Sequence, residues 1–586
     1  MSKNGENLNL AQQEAVEHID GPLLIAAGAG SGKTKTLTTR LAKLIEKGVR
    51  PENVVAITFT NKAAKEMADR VAIYPSPFIG TFHSFCARIL KNEAELVNRT
   101  PNYTIFDDDD SLSLLKKVMK ALDISKDRYN PLALHSKIAK IKSELLEPEE
   151  FDKTAALVFQ KYEAELVKNN AFDFDDLIEK VVRIFENHPK ILEKYQNQFT
   201  HVLVDEYQDI NTAQYRFIKL LAQKHQNLSV VGDDQQAIYS FRGADFRNFL
   251  NFGKDWPSAK IVKLEQNYRS SGNIITAASS VIQNNQLQTP KTLWTKNALG
   301  EPISVVKTSD PEQEATFIAG RLYDTKPDSA AILYRTNAQS RSIEQALIAA
   351  DIPYKIFGGL KFYERKEIKD LIAGLRLASN PQDSISAERL IKNFDKKTAG
   401  HLIQELPRLG KNLGILELLN FFITNTNYLD YLERNYKNHL ERSENVNELI
   451  RFAGEFKTLN EFLERVSLLQ SADAPTKSTI HDSRFTMPVN LMTVHLAKGL
   501  EFNNVFVTGC LEGLMPHQMS YGSMDELEEE RRLMYVAMTR ARNKLYLTFS
   551  GTPSRFLYEI PPELTEFTDL DSGKGQLPDA DEMYIE

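Results

Sequence analysis

The chain has 586 residues, too many for one hydrophobic core, so roughly three to five compact units are expected. With 42% hydrophobic and 26% charged residues, a polar start MSKNGENLNL and no apolar run of membrane-spanning length, it reads as a soluble, cytoplasmic protein. Only Cys86 and Cys510 occur, which excludes a disulfide framework or a four-cysteine metal site, while a net charge of -7 with 72 lysines and arginines still leaves material for a local basic groove.

The chain opens with LNLAQQEAV (8–16), an amphipathic turn in which Gln12 offers an amide that can donate and accept at an adenine edge. The apolar run Pro22, Leu23, Leu24, Ile25 then leads into AAGAGSGKT (26–34), and a helix-like segment follows. Strand, glycine loop and helix in this order form a phosphate cradle, with Lys33 reaching the β/γ-phosphates and Thr34 holding Mg²⁺. The usual pattern begins with glycine, and this chain has Ala27 there.

Residues 54–71 pass from a β-branched strand to a helix through Phe59, Thr60 and Asn61, and residues 79–90 do the same through Thr81 and His83. Small donors and an aromatic at a strand's C-terminal end suit a nucleic-acid backbone and a stacked base. Helix capping and a core phenylalanine account for either junction equally well. From about 88 to 172 the strand-helix rhythm gives way to helices, and Asp107 to Asp110 read as an N-cap with an acidic first turn rather than a metal site.

The strand Val202, Leu203, Val204 ends in Asp205 and Glu206, as an Mg·ATP site requires: Asp205 for the metal, directly or through water, and Glu206 as general base. The strand beginning at Ser229 runs into Gln236, a γ-phosphate sensor, and Tyr239, Phe241 and Arg242, which suit single-stranded bases. Next come Tyr268 for stacking and Arg269 as a γ-phosphate cation. Further on, Gly358 and Gly359 permit close backbone approach, with Lys361, Arg365 and Lys366 placed to meet phosphates. Residues 489–510 carry His495 and Glu501 between two strands, without metal-ligand spacing around His83 or His495, and the helix over 528–542 ends at Arg540.

Together, LNLAQQEAV, AAGAGSGKT, TFTNKAAKEM, GTFHSFCARIL, DFDDL, LVDEYQD, VVGDDQQAIYSFRGAD, LEQNYRSS, YRTNAQSR, FGGLKFYERKEIKD, LMTVHLAKGLEF and EEERRLMYVAMTRARNKL resemble, in order, the motifs of superfamily 1 DNA helicases of the UvrD, PcrA and Rep type. The resemblance implies an α/β fold of two RecA-like P-loop NTPase cores, each interrupted by a helical insertion subdomain, with ATP and single-stranded DNA across the cleft between them. The cores would be 1–87 plus 173–264 and 265–375 plus 486–560, the insertions 88–172 and 376–485, and an acidic tail over 561–586 would be disordered. It also implies a cradle of Ala29, Gly30, Ser31, Gly32, Lys33, Thr34 and Lys35, Glu501 at the ATP ribose, His495 at DNA, and Arg540 as a second γ-phosphate cation. Partners would be single-stranded and 3′-tailed or forked duplex DNA, with repair or replication proteins possible and no membrane.

The sequence departs from the family at Phe241, usually tryptophan, and at Gln235 and Leu496, which stand for an acidic and a small residue. The second insertion is shorter than in relatives, and only Gly400 stands where they carry a glycine-containing hairpin that touches duplex DNA. The C-terminus also leaves no room for a fused nuclease or a basic partner-binding module. The expected activity is ATP-dependent 3′-to-5′ unwinding. The alternatives are a translocase that displaces proteins but unwinds poorly, and a non-catalytic ATP-switched DNA-binding protein, against which the full set of ATP-site residues speaks. RNA as substrate is open, because stacking tolerates either sugar.

Overall fold

A computed structural model describes all residues except 1–7, 72–75, 126–127, 359, 361, 382, 464–465, 467–486, 576 and 578–586. The chain divides into two compact units, Met1–Ala298 and Leu299–Glu586.

The first unit is built on strands β1 (Leu23–Ala27), β2 (Val54–Thr58), β3 (Phe78–Thr81), β6 (His201–Val204), β7 (Leu228–Gly232) and β8 (Lys260–Leu264), in the order β3-β2-β6-β7-β1-β8. All pairs are parallel. β1 is buried along its whole length, with Leu23, Ile25 and Ala27 packing to one face and Leu24 and Ala26 to the other. That two-sided burial explains why a continuous apolar run, rather than an alternating one, marks a strand of this sheet. Helices α1 (Leu10–Glu17), α2 (Lys33–Glu46), α3 (Asn61–Val71) and α4 (Phe82–Glu93) cover it, and the candidate site residues of this unit, apart from Gln12 in α1, follow the C-terminal ends of its strands.

Between α4 and the return to the sheet lie β4 (Thr104–Phe106), α5 (Asp108–Ala121), α6 (Pro131–Glu144), α7 (Lys153–Lys168) and β5 (Ala171–Asp173), with β4 and β5 paired in parallel. Asp107 caps α5 through the Asp110 amide at 2.8 Å, as the acidic run suggests. The helical segment is fixed to α8 (Phe174–Asn187) by Lys142, whose buried ammonium lies 2.7 Å from Glu163, 2.7 Å from Asp173 and 2.8 Å from Asp176. The expected boundary at 87/88 falls inside α4, whose Ile89 and Leu90 still pack in the core of the main sheet.

Residues 265–298, expected to open the second core, group instead with the first unit. β9 (Gln266–Asn267) pairs with β10 (Trp294–Thr295), and the Asn267 side chain donates to the Ala29 carbonyl at 2.7 Å. These bonds tie the segment to the glycine loop, which a division by motif order cannot register.

The second unit contains β11 (Ile303–Thr308), β12 (Ala330–Tyr334), β13 (Tyr354–Ile356), β14 (Val489–Thr493), β15 (Phe502–Val507), β16 (Ala541–Ser550), β17 (Thr565–Asp569) and β18 (Gly573–Lys574), ordered β13-β14-β12-β15-β16-β11-β17-β18. All pairs are parallel except β17 with β18. The helices Ser384–Asn393, Lys396–Leu409, Ile415–Thr426, Tyr428–Asn435 and His439–Ala453 share one core with the helix Lys366–Ser379. Gly400 sits inside Lys396–Leu409, so this position is helical and not a hairpin. Cys86 and Cys510 are both buried.

The expected disorder over 561–586 does not hold for residues 561–575, while 576 and 578–586 lie outside the described residues. β17 extends the sheet beside β11, and Lys307 pairs with Asp569 at 3.0 Å. Backbone pairing and this ion pair order an acidic stretch whose composition alone reads as solvated. A chain truncated after Leu564 is expected to melt about 2–6 °C lower by calorimetry, because the β11 edge loses its partner strand; an unchanged melting temperature would show that β17 adds nothing.

Candidate functional site

The glycine loop leaves β1 and turns into α2 through two left-handed residues, Gly30 at φ +63° and Gly32 at φ +84°. A Cβ on Gly30 would lie 2.6 Å from Asn267 Nδ2 and 2.8 Å from Arg269 Cβ, and one on Gly32 would lie 2.9 Å from Gln12 Nε2, so both conformation and space demand glycine. The carbonyls of this turn are taken by one donor of the loop and three from outside it. Ser31 Oγ donates to the Gly28 carbonyl at 2.8 Å, Asn267 to Ala29 at 2.7 Å, the Tyr268 amide to Gly30 at 2.9 Å, and Gln12 to Ser31 at 2.9 Å. Peptide planes held by their carbonyls have their N–H groups fixed too, which makes the loop a preset anion nest at a helix N-terminus. Thr34 is half-buried and Lys35 exposed in the first turn of α2.

The acidic pair sits at the end of β6. Asp205 is buried, and its carboxyl is pushed up to about 7 by burial and by Glu206, against the pull of Lys33. Glu206 adopts φ +51°, a strained conformation for a residue with a side chain, and its carboxylate accepts from Gln208 Nε2 at 2.8 Å. A buried carboxyl so reluctant to ionise is one that a divalent cation would stabilise. Among the described residues no group of three or more His, Cys, Asp or Glu could hold a metal. The Asp205 carboxylate and the Thr34 hydroxyl are oxygen donors of the kind an Mg²⁺ ion takes from a protein when phosphates and water supply the rest.

Beside this pair, at the end of β7, lies a residue that sequence reasoning missed. Asp233 accepts from Gln236 Nε2 at 2.6 Å, from the fully buried Lys291 at 2.5 Å, and has Lys33 Nζ at 3.8 Å. Burial works against its ionisation, yet Lys291 and Lys33 hold its carboxyl below the usual range. Its backbone N–H donates to Gln208 at 2.9 Å, linking it to the acidic pair. No motif spacing pointed to Lys291; a lysine flanked by Pro290 and Thr292 carries no local signal of burial.

On the other side of the loop, Gln12 is buried, receives the Asn9 backbone amide at 3.0 Å and binds Ser31 as above. An amide has two N–H groups and two acceptor lone pairs, so these bonds use half of its capacity. Asn9 also donates to Gln266 at 3.2 Å and to the hydroxyl of the part-exposed Tyr268 at 3.0 Å. The Arg269 amide is received by Asn267 Oδ1 at 2.8 Å, so Asn267 serves both the loop and the segment carrying the arginine.

The aromatic candidates come together on the ends of β2 and β7. Phe59 and Tyr239 have parallel rings, 4° apart in plane with centroids at 6.1 Å, and Phe241 follows at 6.0 Å from Tyr239. Arg242 lies 5.5 Å from both the Tyr239 and Phe241 rings, and Phe241 is 65% exposed. Thr60 and Asn61 are exposed at the start of α3, where Thr60 Oγ1 receives the Ala63 amide at 3.1 Å. Thr81 caps α4 in a box with Ser84, so the capping reading holds for it. His83 stands edge-on to Phe174 at 5.8 Å, and burial lowers its pKa, which keeps the imidazole neutral.

In the second unit, Arg540 is buried at the end of the helix Met524–Met538, with its guanidinium on the Val536 carbonyl at 2.9 Å and the Leu500 carbonyl at 3.2 Å. Glu501 is paired with Arg542. His495 is half-buried in the short helix after β14. Gly359 and Lys361 lie outside the described residues. Arg365 departs from the phosphate-facing expectation: it is buried and donates to the Asn337 carbonyl at 2.8 Å, Asn445 at 2.7 Å and Ser340 at 2.8 Å. It joins the segment that follows β12 to the helical segment because a guanidinium can satisfy several acceptors at once. Lys366 likewise donates to the Tyr436 hydroxyl at 2.6 Å.

A glycine cradle at the tip of one parallel strand, with a carboxylate pair at the tip of another, places the first unit among the P-loop nucleotide hydrolases. The model of the UvrD/REP helicase N-terminal domain matches residues 8–257, and that of the UvrD-like helicase C-terminal domain matches 262–445 and 423–552. The chain is 41% identical to the ATP-dependent DNA helicase PcrA of Bacillus subtilis (95% of this chain, 86% of the relative). It is 40% identical to PcrA of Staphylococcus epidermidis and 41% to that of Staphylococcus aureus, each over 97% of this chain and 88% of the relative. The chain therefore belongs to the UvrD/REP helicase family, and its two parallel sheets are RecA-like cores.

Gly30→Ala is expected to weaken ATP binding at least about tenfold and to cost the unit about 1–3 kcal/mol, since a methyl group there meets Asn267 and strains the turn. Titration with a fluorescent ATP analogue and thermal melts of the same samples check this.

Proposed function

We propose that this chain is an ATP-dependent DNA helicase that moves 3′ to 5′ on single-stranded DNA, hydrolysing ATP as it goes. Membership of the helicase family and high identity to PcrA relatives over nearly the whole chain support it. The observation that carries the mechanism is that one short segment after β7 holds both a candidate nucleotide residue and a candidate DNA-stacking residue. Gln236 belongs to the nucleotide side through Asp233, and Tyr239, three residues on, faces Phe59 in the aromatic row.

In this reading the loop amides and Lys33 bind the phosphates, Gln12, Asn9 and Tyr268 flank the base, and Arg269 supplies positive charge at the γ-phosphate. Mg²⁺, when bound, would offset charge on the β- and γ-phosphates, with Thr34 and Asp205 holding it. Glu206 orients the attacking water and accepts its proton. Gln236 senses loss of the γ-phosphate, and the shift of its segment changes the spacing of Phe59, Tyr239 and Phe241, so that a base is gripped in one nucleotide state and released in another. Thr60, Asn61, Thr81, His83 and Arg242 would contact the strand alongside. His495, Gly359 and Lys361 are the DNA contacts assigned to the second unit, and Glu501 and Arg540 its nucleotide residues.

Substrates in this reading are single-stranded and 3′-tailed or forked duplex DNA, in repair or replication. No helix among the described residues is long and apolar enough to cross a membrane, and a cytoplasmic location belongs to the same reading. A second reading, a translocase that unwinds poorly, is favoured by one observation: helix occupies residues 396–409, where relatives would place a duplex-touching hairpin.

ATP-driven strand separation on duplexes with a 3′ tail, a 5′ tail or no tail, with DNA-stimulated ATPase recorded in the same tubes, tests this. Unwinding confined to the 3′-tailed duplex is expected; strong ATPase without unwinding would favour the translocase. Lys33→Ala should lower ATP turnover by roughly 10²–10³-fold while leaving nucleotide-free DNA affinity unchanged. Tyr239→Ala should instead weaken single-strand binding by about 1–3 kcal/mol in fluorescence anisotropy.

A further inference from the structure

Lys291 is a buried cation beside the nucleotide loop to which the mechanism above gives no part. Its side chain is fully buried, 2.5 Å from Asp233 Oδ1 and 2.8 Å from Asp234 Oδ1, with the Ala27 carbonyl at 3.5 Å. Asp233 is therefore shared: Lys291 takes one carboxylate oxygen, Gln236 the other at 2.6 Å, and Lys33 stands off that second oxygen at 3.8 Å. Lys33 is near enough to feel the carboxylate and too far to form a hydrogen bond with it.

The residues around Lys291 bind to each part of the nucleotide site. The Thr289 amide donates to Asp234 at 2.6 Å, and Gln288 accepts from Gln235 at 2.7 Å. Leu293 packs against the loop so closely that a Cβ on Gly28 would lie 2.1 Å from its Cδ2. Trp294 and Thr295 pair with Gln266 and Asn267, and Asn297 donates to the Ser270 carbonyl at 3.0 Å. Residues 288–297 thus form a strap joining the loop, the γ-phosphate sensor and the segment of Arg269.

We infer that Lys291 is a positioning residue for ATP hydrolysis: by neutralising Asp233 it keeps Lys33 available for the triphosphate, and through the strap it holds Gln236 in register with the loop. A carboxylate with no second cation would draw Lys33 into a close pair, and ATP would have to break that pair on binding. With Lys291 in place the competing anion is already satisfied. This inference rests on the proposal that ATP binds the glycine loop.

The test uses Lys291→Met, Asp233→Asn and the double variant, in the full chain with single-stranded DNA present. For Lys291→Met the KM for ATP is expected to rise roughly tenfold, in line with one close charge pair, with a much smaller change in kcat. Adding Asp233→Asn removes the anion that holds Lys33, and an asparagine oxygen still accepts from Gln236, so the double variant should recover most of the wild-type KM. A role confined to folding predicts the opposite, loss in the single variant that the second substitution deepens. Equal falls in kcat and kcat/KM without recovery would overturn the inference. If Lys291→Met does not fold, Lys291→Gln takes its place, since it can still hydrogen-bond Asp233 but carries no charge: the same rise in KM for ATP supports the inference, and an unchanged KM overturns it. Wild-type protein that binds no nucleotide would instead overturn the functional proposal on which this rests.

Discussion

The first unit depends on one constraint, that the outward carbonyls of the glycine loop be held. Four successive carbonyls, from Gly28 to Ser31, accept from Ser31, Asn267, the Tyr268 amide and Gln12. Each bond contributes little alone, on the order of 1 kcal/mol. Together they fix the peptide planes before any ligand arrives, so the cost of ordering an anion site is met during folding rather than binding. Apart from Ser31 in the loop itself, the donors come from α1 and from the segment after β8, which explains why residues far apart in the chain must assemble before the loop is competent.

The same economy governs charge. The nucleotide site keeps Lys33, Asp205, Glu206, Asp233, Asp234 and Lys291 close to one another, and the reluctance of Asp205 to ionise reflects a site built around cations and phosphates. The other buried cluster, Lys142 with Glu163, Asp173 and Asp176, has a mechanical part. It fastens the helical segment to α8, and removing one partner would leave buried charge uncompensated, a loss of about 3–5 kcal/mol. In the second unit Arg365 plays a similar part through neutral acceptors, joining the segment after β12 to the helices.

In the proposed mechanism, coupling between nucleotide and DNA would follow from chain geometry. After β7 the chain passes Asp233, Gln236, Tyr239 and Phe241 in succession, and the parallel rings of Phe59 and Tyr239 lie across the ends of β2 and β7. A displacement at Gln236 would have few residues in which to dissipate before it reached Tyr239, which would make this segment the lever of the proposed motor.

Much of this was legible in the chain. Buried strands announce themselves by apolar runs, left-handed turns by glycine, helix starts by Asp107 and Thr81, and the strand-end residues Lys33, Asp205, Glu206, Gln236 and Tyr239 by their place after such runs, because all these signals lie within about ten residues of one another. What the sequence could not determine is which distant groups would meet. Lys291 finds Asp233 across 58 residues, Asn267 finds Ala29 across 238, and Lys307 finds Asp569 across 262, which orders a tail that composition alone leaves solvated. Arg365 reads as a phosphate contact until the fold surrounds it with carbonyl, amide and hydroxyl oxygens. Local pattern specifies backbone conformation, because sterics and periodicity act over a few residues. The partners of a buried charge are chosen only when tertiary packing removes water and leaves one arrangement in which every charge is met.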